Sequence, residues 1–157
     1  GITVAQIRQF VGDTEKAGLL VHGCFIIGNP GETEETMEKS LKMAKELNCD
    51  TMQFFPLLVY PGTEAYRWAK ENGYLVSESY ADWADEGGMY RSVLNIPGLP
   101  PETIEAFCRR ANREYYLRPG YILMKMKQLL FGPREIRRTL RGALTYFKRL
   151  PKSYRRR

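Results

Sequence analysis

Residues 23–33 read GCFIIGNPGET, an apolar run that ends at glycine and proline and leads directly into the start of a helix. The apolar run covers residues 19–27, with His22 as its one polar side chain, and is typical of a parallel strand buried on both faces. Gly28 and Gly31 allow the backbone to bend sharply and to come close to a bound molecule, and the helix start presents unpaired N–H groups. The segment therefore predicts a strand-to-helix turn at a binding site, although an ordinary structural turn has the same pattern.

The surrounding sequence repeats this arrangement. Residues 34–47 have apolar side chains at helical spacing after Thr33, a suitable N-cap, and residues 52–59 form a second apolar run. A turn at residues 60–63 and a helix ending at residues 72–73 follow. Upstream, Thr3 begins a capping-box pattern for a helix that Gly18 closes. The order α-β-α-β-α predicts parallel strands joined by a right-handed crossover, with both turns at the carboxyl edge where ligands bind.

Residues 22–33 and 54–63 together resemble the last two strands of the radical S-adenosylmethionine (SAM) barrel. The resemblance is greatest to the branch often preceded by a cobalamin-binding domain. In that superfamily six parallel strands form an open barrel, and the adenine of SAM lies against a GxIxGxxE motif at the fifth strand. Here Ile26 and Gly28 match its central part, Glu32 follows one place late, and Cys24 replaces the first glycine. The predicted fold class is thus α/β: a C-terminal fragment of an open (β/α)6 barrel with an α-helical extension.

The resemblance also implies which positions face the cofactor. These are Ile26 and Gly28 at the first turn and Leu58, Val59 and Tyr60 at the second. The complete enzyme is expected to cleave SAM to a 5′-deoxyadenosyl radical that abstracts hydrogen from an organic substrate. This chain is expected to supply the wall beside the adenine, with no catalytic residue of its own.

Radical SAM enzymes hold a 4Fe-4S iron–sulfur cluster with closely spaced cysteines in a CxxxCxxC loop. This chain has three cysteines, Cys24, Cys49 and Cys108, too far apart in sequence for such a loop. Each is interpreted as a buried or structural thiol, and the single histidine, His22, as a packed strand residue. No metal ligand is therefore expected here, the cluster is expected elsewhere in the enzyme, and cobalamin is an open possibility. Cysteines in this pattern also favour a reducing cytoplasm.

Two strands with apolar residues on both faces need further strands to cover them. The expected partner is a missing N-terminal part of the same enzyme. Residues 1–75 would be the last portion of the barrel, with Pro56 in an edge strand, and residues 76–157 a family-specific extension. In that extension, aromatic residues between 74 and 99 either cap a cavity or fix a loop to the surface. Helical patterns begin at Pro101 and again at Tyr121.

The net charge of +6 is concentrated at the C-terminal end. Residues 134–157 contain ten Lys or Arg against Glu135 alone, with an apolar stripe at helical spacing formed by Ile136, Leu140, Leu144 and Phe147. This pattern predicts a basic amphipathic helix for an anionic membrane or acidic partner, or a helix docked on its own domain. Nucleic acid is less favoured because no known binding fold accompanies the charge. The alternative function is a non-catalytic α/β interaction module using this tail. No apolar run is long enough to span a membrane.

Overall fold

A computed structural model describes residues 1–84, 88, 90–131 and 144. Within these residues the fold is α/β, with five α-helices and a two-stranded parallel sheet. The elements are α1 (Val4–Lys16), β1 (His22–Ile27), α2 (Glu34–Leu47), β2 (Thr51–Pro56), α3 (Glu64–Glu71), α4 (Pro101–Leu117) and α5 (Pro119–Phe131). The chain divides into two compact units, Gly1–Tyr115 and Tyr116–Arg157. The domain boundary expected after residue 75 remains a prediction.

The helices predicted within the described residues are confirmed. Their caps and apolar spacing depend only on residues close together in sequence. Thr3 closes a capping box with Gln6 at the start of α1, and Thr33 does so with Thr36 at the start of α2. Both predicted strands are too long: β1 begins at His22, and β2 ends at Pro56. The helix predicted within residues 134–147 lies outside the described residues, apart from Leu144. No helix in the described part of the chain is long and apolar enough to cross a membrane.

The two faces of the sheet differ in burial. On one face Phe25 pairs with Phe54 and Ile27 with Pro56, and Ile27 and Phe54 are almost completely buried. On the other face Cys24 pairs with Gln53 and Ile26 with Phe55, and Ile26 is 43% exposed. The described residues therefore leave this second face uncovered, and its cover by the rest of the enzyme stays a prediction. We call this second face the open face of the sheet.

His22 is also an exposed residue rather than a packed one. It lies at the first position of β1, opposite Thr51, and its Nδ1 is 2.8 Å from the Thr51 hydroxyl. Because its side chain follows the same alternation as Cys24, it belongs to the open face.

The outer edge of β2 is closed by a side chain of α4. Thr51 and Leu57 donate their N–H groups to the carbonyls of Val21 and Ile27, so the alternate residues of β2 direct their backbone groups away from β1. The Asn112 Oδ1 accepts a hydrogen bond from the Phe54 N–H at 3.2 Å, and the Asn112 Nδ2 donates one to the Phe54 carbonyl at 2.9 Å. The backbone of Pro56 also points away from β1, so the missing N–H of this proline removes no hydrogen bond between the two strands. In the two-stranded sheet of the described residues both strands are edges, so the position of β2 at the edge of a larger sheet stays a prediction.

The core lies between the buried sheet face and the two helices α2 and α4. It is formed by fully or nearly fully buried side chains, among them Met37, Leu41, Ile104, Ala111 and Tyr115. The Tyr115 hydroxyl donates to the Cys49 carbonyl at 2.6 Å. Ion pairs also join the helices: Arg110 bonds Glu38, and Lys45 bonds Glu114 at 2.7 Å. The Lys45 hydrogen bond is the main cause that lowers the pKa of Glu114.

Candidate functional site

The turn after β1 is held by its own side chains. Gly28 has a φ of +93°, a conformation that favours glycine. The Glu32 carboxylate accepts the N–H of Gly28 at 2.6 Å and that of Asn29 at 3.0 Å, and the Asn29 amide donates to the Ile26 carbonyl at 2.8 Å. These two N–H groups, at the turn where sequence analysis predicts a ligand, are therefore bonded to Glu32. The Glu32 carboxylate therefore shapes the turn.

Glu32→Ala is expected to lower the free energy of unfolding by about 1–2 kcal/mol, because two charge-assisted hydrogen bonds disappear. Amide exchange at Gly28 and Asn29 should become faster. Urea unfolding and hydrogen exchange measure the two effects. The matched control is Glu34→Ala in the first turn of α2, where only a helix-dipole interaction of about 0.3–1 kcal/mol is lost. Equal exchange rates at Gly28 in both variants would contradict the role of Glu32.

The turn after β2 leads residues 57–60 out of the sheet and into α3. Leu57 still donates its N–H to the Ile27 carbonyl at 2.7 Å, and the chain then departs from β1. Thr63 caps α3 by accepting the Tyr66 N–H, and its hydroxyl donates to the Tyr60 carbonyl at 2.7 Å. This turn leaves the Tyr60 side chain 53% exposed beside the ends of the strands.

Aromatic side chains from the segment that begins at Tyr80 contact the turn after β2 and the open face of the sheet. Trp83 is nearly buried and lies edge-on to Tyr60 and Tyr80, with ring centroids 4.9 and 4.6 Å away. Tyr90 lies 5.9 Å from Phe55 of the open face. The segment folds back on itself, since Arg91 donates to the Trp83 carbonyl at 2.9 Å. Trp83 therefore fixes the loop, and Tyr90 borders a cavity over the open face. The aromatic residues of this segment thus have both of the roles predicted from the sequence.

A shallow cavity of about 250 Å³ lies over the open face. Its lining consists of Cys24, Ile26, Gln53, Phe55, Leu57, Leu58, Tyr60 and Tyr90. Three residues that the resemblance assigns to the cofactor, Ile26, Leu58 and Tyr60, are thus brought together. Apart from Gln53 and the polar atoms of Cys24 and the tyrosines, the lining is apolar. Such a surface suits a flat, largely apolar group with a polar edge.

Gly28 and Val59, the other two assigned residues, do not line this cavity. A side chain at Gly28 would point toward Ile104 of α4, with its Cβ 3.0 Å from the Ile104 Cδ1. Val59 is 1% exposed and belongs to the core. Sequence reasoning missed Cys24, Gln53 and Phe55 as lining residues, although the period of two along each strand places them on the same face as Ile26.

The cysteines do not form a cluster site. Cys24 is exposed on the open face, whereas Cys49 and Cys108 are buried. Burial raises the pKa of the Cys108 thiol to about 12, so this side chain stays protonated. Within the residues that the structure describes, no three His, Cys, Asp or Glu side chains lie together as a metal site. The residues present here therefore do not fit an iron–sulfur cluster.

Comparisons with curated proteins find methyltransferases among the relatives. The chain is 33% identical over 123 residues, 78% of its length, to an uncharacterised methyltransferase of Pyrococcus horikoshii. It is 29% identical over 123 residues to the cytidylyl-2-hydroxyethylphosphonate methyltransferase of Streptomyces wedmorensis. Over 67 residues it is 46% identical to the tRNA-2-methylthio-N(6)-dimethylallyladenosine synthase of Polynucleobacter necessarius. The chain spans only 26%, 22% and 15% of these three proteins. No family model matches it.

Proposed function

We propose that this chain forms the wall beside the adenine of SAM in a radical SAM enzyme. The observation that carries the proposal is the cavity over the open face, which is lined by residues of both parallel strands and of the turn after β2. Ligands of parallel α/β folds bind at the carboxyl edge of the sheet. Ile26 and Leu58 would contact the faces of the adenine, Tyr60 would border it, and Gln53 offers an amide to its polar edge.

The size of the cavity supports a wall rather than a complete site. Its volume of about 250 Å³ is below the roughly 300–1,000 Å³ of typical ligand pockets, and its floor is an exposed sheet face. A molecule as large as SAM therefore needs contacts from elsewhere. We infer that the remainder of the same enzyme supplies them, together with the cysteines of a 4Fe-4S cluster. The residues described here bind and shield the adenine, and none of them exchanges hydrogen with the substrate.

The named relatives give independent support for SAM as the ligand. Two of the three proteins above are named methyltransferases, and the third is named for a methylthio product. SAM is the common methyl donor for such reactions. A segment that binds SAM would therefore account for the similarity among these proteins.

Ile26→Lys is expected to weaken SAM binding to the complete enzyme at least about tenfold, since it removes an apolar contact and adds a charge that repels the sulfonium. Ile26 is already 43% exposed, so thermal stability should change little. Equilibrium dialysis with labelled SAM measures the affinity. Val76→Lys, at a residue 54% exposed away from the cavity lining, is the matched control. Equal SAM affinity of the Ile26→Lys and Val76→Lys enzymes would contradict the proposal.

A further inference from the structure

The two compact units carry opposite charge. Gly1–Tyr115 contains 11 basic and 17 acidic residues, a net charge of −6. Tyr116–Arg157 contains 13 basic residues and one acidic residue, a net charge of +12. The boundary found from the structure thus coincides with a reversal of charge. A unit this basic attracts an anionic surface at ordinary ionic strength.

The helix α5, which lies in the basic unit, has three exposed apolar side chains. Ile122, Leu123 and Met126 are 45%, 54% and 55% exposed and share one side of the helix by their spacing. The opposite side contains Tyr121, Lys125 and Gln128, where the Lys125 ammonium lies 5.5 Å from the Tyr121 ring centroid and 2.9 Å from the Gln128 amide oxygen. A solvated helix has the reverse arrangement, with its polar side toward water. We call Ile122, Leu123 and Met126 the apolar face of α5.

We propose that the apolar face of α5 inserts into an anionic lipid surface. Its three side chains would enter the boundary between headgroups and acyl chains, while exposed Lys127 beside them and the basic residues that follow in sequence would contact phosphate. RNA would match the charge but gives no reason for exposed aliphatic side chains. Association of two copies through this face would bring two units of +12 together. The proposal does not depend on SAM binding.

Co-sedimentation of the whole chain with vesicles tests this. We expect binding to an equal mixture of phosphatidylcholine and phosphatidylglycerol, little binding to phosphatidylcholine alone, and a decrease as salt screens the charges over about 8 Å at physiological ionic strength. The double variant Leu123→Gln with Met126→Gln should bind at least about tenfold more weakly, because each apolar side chain contributes about 1.5–3 kcal/mol when fully buried. Phe10→Gln, at a residue 62% exposed on α1, is the control and should bind like wild type.

Four outcomes would overturn the proposal. These are equal vesicle binding by wild type and the double variant, equal binding to neutral and anionic vesicles, RNA binding without vesicle binding, and a dimer that the double variant abolishes. Circular dichroism of each variant shows whether the fold is kept. Since both substituted side chains are more than half exposed and glutamine is a good helix former, loss of fold is not expected.

Discussion

Gly28→Val is expected to lower the free energy of unfolding by about 2–5 kcal/mol, through backbone strain and overpacking together. The φ of +93° is unfavourable for a β-branched residue, and the new Cβ would lie 3.0 Å from the Ile104 Cδ1 in the core. Chemical denaturation of the whole chain gives the value. This turn is therefore sensitive to substitution because of a helix packed beneath it, in addition to any ligand above it.

Two further variants separate the two causes. Gly31→Val has the same kind of backbone strain, with a φ of +77°, but nothing lies within 4 Å of its Cβ position, so it should cost only about 1–2 kcal/mol. Ile104→Ala combined with Gly28→Val should cost less than the sum of the single changes, since the truncated side chain makes room for the valine. Strict additivity would show that the contact with Ile104 is unimportant.

Asn112→Leu is expected to lower the free energy of unfolding by about 2–4 kcal/mol, because the N–H and carbonyl of Phe54 both lose their partner. Leucine keeps the volume of the side chain, so a cavity does not add to this effect. Amide exchange at Phe54 should become faster than at residues that donate to β1, such as Leu57. Exchange at Phe54 unchanged from wild type would contradict the role of Asn112.

Asn112→Asp gives a pH test of the same contact. The carboxylate can accept the Phe54 N–H, but it also meets the carbonyls of Phe54 and Cys108, to which the asparagine donates. This repulsion raises the pKa of the new carboxyl above its unfolded value of about 3.9, so protonation favours the folded state. The stability deficit relative to wild type should therefore shrink as pH falls from about 7 toward 4. A deficit that does not change with pH would exclude this geometry.

Local signals explain what could be predicted from the sequence. The caps at Thr3 and Thr33 and the strand–helix order depend on neighbouring residues, and the structure confirms them. The end of β2 could not be predicted in this way. Val59 is apolar because it enters the core and Leu58 because it lines the cavity, whereas an apolar run alone predicts a longer strand.

The contacts that complete the candidate site join residues far apart in sequence. Tyr90 meets Phe55, and Asn112 meets Phe54, although neither pairing has a signature in the chain. The asparagine lies in an amphipathic helix, where it would ordinarily be assigned to the solvated side. The sequence places Glu32 beside a motif, but its bonds to two N–H groups of the turn follow only from the geometry.

The Asn112 amide determines at which edge of the sheet a further strand can be added. An unpaired strand edge is a template on which another strand, from the same chain or from a foreign one, can be added. At β2 that template is occupied by a side chain. At β1 the backbone groups of Cys24 point away from β2. The Ile26 carbonyl on the same edge accepts a hydrogen bond from the Asn29 amide. Strand addition, whether in productive assembly or in aggregation, should therefore begin at β1. Replacing Asn112 should also make the outer edge of β2 available for strand addition.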